Sequence, residues 1–233
     1  MRLAILADVH ANAEALDAVL ASAEGRSADA VLCLGDVVGY GPDPGPVLDR
    51  VRETCHTTVL GNHDEAVVAD DGLDALPSDG QAAARHHRQA LTADQLAWLG
   101  ARPLVAEAFG VTLAHASPLD PGSWSRLRTY KEVSAQFSAF ETDVCFVGHS
   151  HRPAIASDTL GVMRVRRGPR YLINVGSVGQ PRDGDSRAAY GLFDTDAFTF
   201  EQVRVRYDVA KTVARIREEG LPERLAKRLS AGT

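Results

Sequence analysis

Apolar runs along this chain stop at polar residues, and they do so five times. Residues 2–7, apolar after Arg2, end at Asp8-Val9-His10, and 28–34 end at Gly35-Asp36. Residues 56–60 end at Gly61-Asn62-His63-Asp64, 111–115 close on His115, and 143–147 end at Gly148-His149-Ser150-His151. Runs apolar at consecutive positions predict strands buried on both faces. After the first, Asn12 is placed to cap a helix through about Gly25, with Leu16, Val19 and Leu20 at helical spacing. Strand, helix, strand at this distance is a βαβ unit, which predicts a parallel sheet core. Residues 37–46, rich in Gly and Pro, predict a loop, and 47–53 a short helix. Gly61 is expected to let the chain turn tightly out of its strand.

The next stretch, 64–100, reads as helical and mostly polar, a cap or side wall, with Thr92 and Gln95 forming a capping box. His86 and His87 are expected on a solvated helix face, their side chains about 100° apart. Residues 104–109 and 111–115 predict a hairpin and 130–140 a helix. A second sheet is expected from strands at 153–157, 162–167, 171–175, 188–193 and 198–207. The last loses its alternation at Glu201-Gln202, as a bulge would cause. Residues 209–230 are helical, interrupted at Gly220-Leu221-Pro222.

Composition narrows the picture modestly. With 233 residues, 45% of them apolar, the chain is long enough for a sizeable core. A net charge of -6 argues against nucleic acid as a main partner, which requires a basic face. Cys33, Cys55 and Cys145 show no C-x-x-C spacing and read as buried, reduced thiols. No run reaches the ~20 apolar residues that span a bilayer, and the start is too short an apolar run for a signal peptide. A cytoplasmic protein without membrane contact is expected.

In open α/β sheets, ligands sit at the carboxyl ends of strands, so five such ends carrying Asp, Asn and His suggest one converging site. The ordered set D-x-H, G-D, G-N-H-D, lone His and G-H-x-H resembles the calcineurin-like metallophosphoesterase superfamily over roughly residues 1–195. The resemblance implies a four-layer α-β-β-α sandwich, two packed mixed β-sheets flanked by helices, as one domain over 1–233. It implies two divalent ions, one held by Asp8, His10, Asp36 and His151, the other by Asp36, Asn62, His115 and His149. Ligands without thiolate favour manganese first, with iron, nickel, zinc or cobalt as alternatives. The family chemistry is attack on phosphorus by a hydroxide bound to the dinuclear centre, with His63 protonating the leaving oxygen.

Two loops, Gly39-Tyr40-Gly41-Pro42-Asp43-Pro44 and 176–185, resemble those of a bacterial and archaeal branch and bring Tyr40 and Arg182 forward as substrate contacts beside Asn62. Ser/Thr phosphatases of the superfamily carry Asp-Arg-Gly where this chain has Gly39-Tyr40-Gly41. The arginine that clamps a monoester is therefore Tyr40, and the aspartate that orients the general acid is Gly39. That leaves the partner of His63 open, with Asp64 adjacent in sequence. The departure favours small phosphodiesters or nucleotides as substrates. The alternatives are a phosphomonoesterase or protein phosphatase using Arg182 as its clamp, and a scaffold on the same fold.

Overall fold

The computed structural model describes residues 1–69, 72–161 and 164–233. The chain opens with β1 (Arg2–Leu6), α1 (Ala13–Gly25), β2 (Ala30–Cys33), α2 (Pro44–Thr54) and β3 (Thr57–Thr58). Three helices follow, α3 (Asn62–Val68), α4 (Ser78–Ala90) and α5 (Ala93–Gly100). Then come β4 (Val105–Ala108), β5 (Val111–Ala114), α6 (Tyr130–Ala135), β6 (Val144–Val147), β7 (Ala154–Ser157) and β8 (Tyr171–Asn174). The chain finishes with β9 (Ala188–Asp194), β10 (Thr199–Val205), α7 (Val209–Glu218) and α8 (Glu223–Ala231).

These strands form two five-stranded mixed sheets, ordered β10-β9-β1-β2-β3 and β4-β5-β6-β8-β7; β9 and β10, expected in the second sheet, instead extend the first, where β9 pairs antiparallel with β1. β1, β2 and β3 run parallel in the first, and β5, β6 and β8 in the second. Alternation within β1 explains its unbroken apolar run. Leu3 and Ile5, with Phe193 of the same sheet, pack against Phe146 and Ile173 of the second sheet, while Ala4 and Leu6 pack against the helices. Each large side chain fully buried between the sheets contributes about 1.5–3 kcal/mol. Phe137 and Phe140 cover the outer face of the second sheet, over Cys145 and Leu172. The result is the four-layer α-β-β-α sandwich.

Several elements depart from the sequence reading. The described part of 64–100 is less polar than its sequence reads: Ala66, Val67, Leu73, Ala84, Leu91 and Leu99 are buried in the core, while Glu65, Gly72 and Leu76 line the cavity described below. β10 has no bulge, since Thr199 to Val205 pair with Asp194 to Ala188 in unbroken register. The phase is lost because a polar residue faces inward: the Gln202 amide donates to the Val175 and Tyr190 carbonyls at 2.9 and 3.0 Å. Of the strand expected at 162–167, residues 162 and 163 lie outside the described residues, and 164–167 form none. Among the described residues, no helix is long and apolar enough to cross a membrane.

Candidate metal centre

The parallel strands of both sheets deliver their carboxyl ends to one edge. Asp8 follows β1, Asp36 follows β2, and Asn62 begins α3 after β3. From the other sheet, His115 follows β5, and His149 and His151 follow β6. Ligand atoms of Asp8, His10, Asp36 and His151 lie within 4.8 Å of one another, and so do those of Asp36, His115 and His149. The Asn62 amide oxygen joins the second group, 3.2 Å from His115 Nε2 and 2.9 Å from His149 Nδ1. Asp36 belongs to both: its Oδ2 is 3.6 Å from His10 Nε2 and 3.3 Å from His115 Nε2.

The backbone is bent to achieve this. Asp8, His10, Asp36, His149 and His151 all have φ between +50° and +63°. Non-glycine residues avoid that region at a cost of about 1–2 kcal/mol each, and such strain clusters at functional sites. The side chains therefore do not follow extended-strand geometry, and His149 and His151 serve different groups. Gly61 has an ordinary extended φ of -105°. Its reason is space, because a Cβ there would sit 2.2 Å from Asp36 Oδ1.

The donor set fits cations. His10 Nδ1 donates to the Val38 carbonyl at 3.0 Å and His151 Nδ1 to the Gln180 carbonyl at 2.5 Å. A carbonyl only accepts, so both rings carry their proton on Nδ1 and present bare Nε2 lone pairs. Those two lone pairs face each other at 3.1 Å. Burial keeps both rings neutral, holding them well below the ordinary histidine range. Two buried lone pairs in contact call for a positive charge between them. The carboxylates make the same demand. Burial, with Asp36 alongside, pushes Asp8 up to about 8. Burial would raise Asp36, but the charge and hydrogen bond of His115 hold it well below its usual range. Burial alone would lower His115, but Asp36 and then Asp8 raise it to about 9, so its proton supplies part of the missing positive charge.

Beside this centre stands His63, buried at 3% exposure. Its ring packs against Tyr40 at 4.3 Å and His10 at 5.0 Å. Its Nδ1 is buried without a partner, which leaves Nε2 as the nitrogen facing the cavity. Asp64 is not its partner, because that carboxylate accepts from the Val38 and Gly61 amides at 3.0 and 3.1 Å. The place of an orienting carboxylate is taken by Gly39, where a Cβ would lie 2.7 Å from His63 Nδ1. Tyr40 is 4% exposed, with Arg182 stacked 5.4 Å from its ring centroid. Arg182 also donates to Gln180 Oε1 at 2.7 and 3.2 Å.

His87 is not on a solvated face. It is fully buried, accepts from the Gly39 amide at 2.9 Å through Nδ1, and donates to the Gly41 carbonyl at 2.8 Å through Nε2. Its neighbour His86 is half-exposed and lies 3.5 Å from Glu219. The spacing of Gly80, Ala83, Ala84 and His87, the buried face of α4, is the signal that would have found it. A cavity of about 660 Å³ opens over the centre, bounded by Asn62, His63, Trp124, Arg126, Arg128 and Arg182. The Trp124 indole N–H donates to Glu65 at 2.7 Å.

A sandwich of two mixed sheets with paired Asp/His groups across one edge defines a metallophosphoesterase-like protein. The model of the calcineurin-like phosphoesterase superfamily domain matches residues 1–197, and the chain belongs to that superfamily. A metallophosphoesterase from Sphaerobacter thermophilus has a crystal structure that is 37% identical, with a TM-score of 0.87, covering 100% of this chain and 99% of that one. An uncharacterized protein of Methanocaldococcus jannaschii is 36% identical over 241 residues, 99% of this chain and 98% of its own. The phosphodiesterase YfcE of Escherichia coli is 25% identical over 209 residues, 85% of this chain and 90% of its own.

Proposed function

We propose that this chain is a two-metal phosphoesterase acting on small phosphodiesters or nucleotides. The observation that carries it is Asp36 Oδ2, which lies within 3.6 Å of His10 and 3.3 Å of His115 and so belongs to both groups of donors. On this reading Asp8, His10, Asp36 and His151 hold one divalent ion, and Asp36, Asn62, His115 and His149 the other, manganese ranking first. When bound, such a pair lowers the pKa of water and offsets charge on phosphoryl oxygens. His63 presents Nε2 to the cavity and gives a proton to the leaving oxygen, a step worth roughly 10²–10⁴-fold, once the bound phosphoryl anion offsets the burial that lowers the free ring to about 4. Its ring is aimed by packing against Tyr40 and His10 instead of by a carboxylate. Asn62, Tyr40 and Arg182 contact the substrate. With Tyr40 in the place of a bidentate clamp, diesters are favoured over monoesters. Arg182 supports a second reading, a monoesterase, because its guanidinium reaches the cavity without a carboxylate partner among the described residues.

The test is hydrolysis of bis-p-nitrophenyl phosphate against p-nitrophenyl phosphate by protein stripped with chelator and reloaded with Mn²⁺. Metal-dependent turnover favouring the diester is expected. His63→Ala should lower kcat by roughly 10²–10⁴-fold at unchanged metal content. Preference for the monoester would move the assignment to the second reading.

A further inference from the structure

An apolar cleft of about 110 Å³ adjoins the main cavity, and Ser125, Arg126 and His149 line both. Its floor is Val147 and Leu172, from the outer core of the second sheet. Leu127 and Val133 form a wall and are only half-buried. Ile155 completes it from the edge strand β7 and is 55% exposed. Isolated exposed apolar residues are ordinary, but apolar surface gathered beside a polar site marks ligand binding. The polar side is just as specific. Arg126 and Arg182 both line the main cavity, and neither guanidinium is ion-paired among the described residues. Cationic groups waiting for an anion, joined to an apolar slot through Arg126, describe one amphiphilic ligand.

We infer that this cleft is an ester-group subsite, which takes one aromatic ring of the substrate while its phosphate lies over the metal centre. The inference rests on the phosphoesterase reading above. Size limits the ring. A cavity of about 150 Å³ holds benzene, so a cleft of 110 Å³ open along Ile155 takes a single six-membered ring. In a nucleotide, that is a pyrimidine base. Leu127, Val133 and Ile155 thereby become specificity-determining residues.

The test uses two ligands that resist hydrolysis, the phosphonate isosteres of uridine 5′-phosphate and of ribose 5-phosphate. They share the anion and the sugar and differ in the ring. Their affinities for the manganese-loaded protein are measured by titration calorimetry. The uridine compound should bind roughly tenfold tighter, as burial of one ring predicts. Ile155→Trp, which fills the cleft from an exposed edge position, should reduce that ratio to near one. Ile155→Asn, which makes the wall polar, should narrow it as well, and thermal unfolding verifies that both variants fold. Equal affinities in the parent protein, or a ratio unchanged in both variants, overturn the subsite. Turnover of bis-p-nitrophenyl phosphate is read separately. With turnover intact and no ring preference, only the subsite falls; with turnover absent, the phosphoesterase reading falls and takes the subsite with it.

Discussion

Tyr40 is held at φ +62°, where a bulky side chain is unfavourable, yet it packs against both His10 and His63. His87 explains how the strain persists. One ring grips the backbone on either side of it, through the Gly39 amide and the Gly41 carbonyl. The grip requires a neutral ring, because a protonated Nδ1 cannot accept from Gly39. Burial first, with His86 and His63 adding to it, lowers His87 to about 3 despite the bond to Gly41. The unfolded chain takes up this proton near pH 6.5 and the folded chain does not. Its contribution is therefore complete above pH 6.5 and is lost as pH falls toward 3. Between pH 7.5 and 5.5 the loss is about 1.4 kcal/mol. His87→Gln should lose that much less over the same interval, while being about 1–3 kcal/mol less stable at pH 7.5. Urea unfolding of metal-free protein at the two pH values checks both figures; equal losses in parent and variant would show that the ring does not stay neutral on folding. Only the spacing of Gly80, Ala83, Ala84 and His87 points to it locally, and weakly. His87 stands beside a half-exposed histidine, and its helix buries a face of Gly and Ala whose apolar signal is faint.

Among the elements, α7 and α8 lie beyond residue 197, where the family match ends, yet they support the site. Ile216, Leu225, Ala226 and Leu229 form one apolar cluster with Tyr40 and Ala83. Arg215 reaches Asp43 at 2.5 Å, and the Gly232 carbonyl accepts from Gly184 in the loop that carries Arg182. The two helices thus press on both substrate-side loops. Leu225→Ala should cost about 2–5 kcal/mol. At a temperature where the variant remains folded, it should also lower kcat/KM by roughly 10–100-fold, as lost support around a site does. Thermal unfolding and turnover measured together decide it; full activity in the folded variant would confine α8 to stability. The strands that carry the centre were legible, because each apolar run buried on both faces ends where its polar residues begin. β10 was legible as a strand but not in its register, because Gln202 faces inward and donates to two carbonyls, which breaks alternation as a bulge does. The loop of Trp124 and Arg126 has no period, so its place on the cavity wall emerges only from the fold.

At the scale of the molecule, the centre lies across the seam between the sheets. Asp8, Asp36 and Asn62 come from one sheet, and His115, His149 and His151 from the other. The motif order made this convergence readable, since strand ends of parallel sheets meet at one edge. What the motifs could not convey is the partition of charge. Burial raises Asp8, and Asp36 with Asp8 raises His115, so both groups favour their protonated forms. Cations bound here would tie the two sheets together and would bind the folded chain only, because the unfolded chain does not assemble donors from both. An ion at a hundred times its dissociation constant stabilises by about 2.7 kcal/mol, and a chain of this size gains about 2–4 °C per kcal/mol. Chelation should therefore lower Tm by about 5–11 °C, and Mn²⁺ should restore it. Asp36→Asn removes the one carboxylate common to both groups, so it should abolish most of that shift along with metal-dependent turnover. If the variant keeps the full shift, the ions are held by the flanking groups separately and Asp36 is not shared. If chelation leaves Tm unchanged in the parent protein, the seam is held by the apolar core around Phe146 and Phe193 alone, and the donors do not gather ions at the concentration tested.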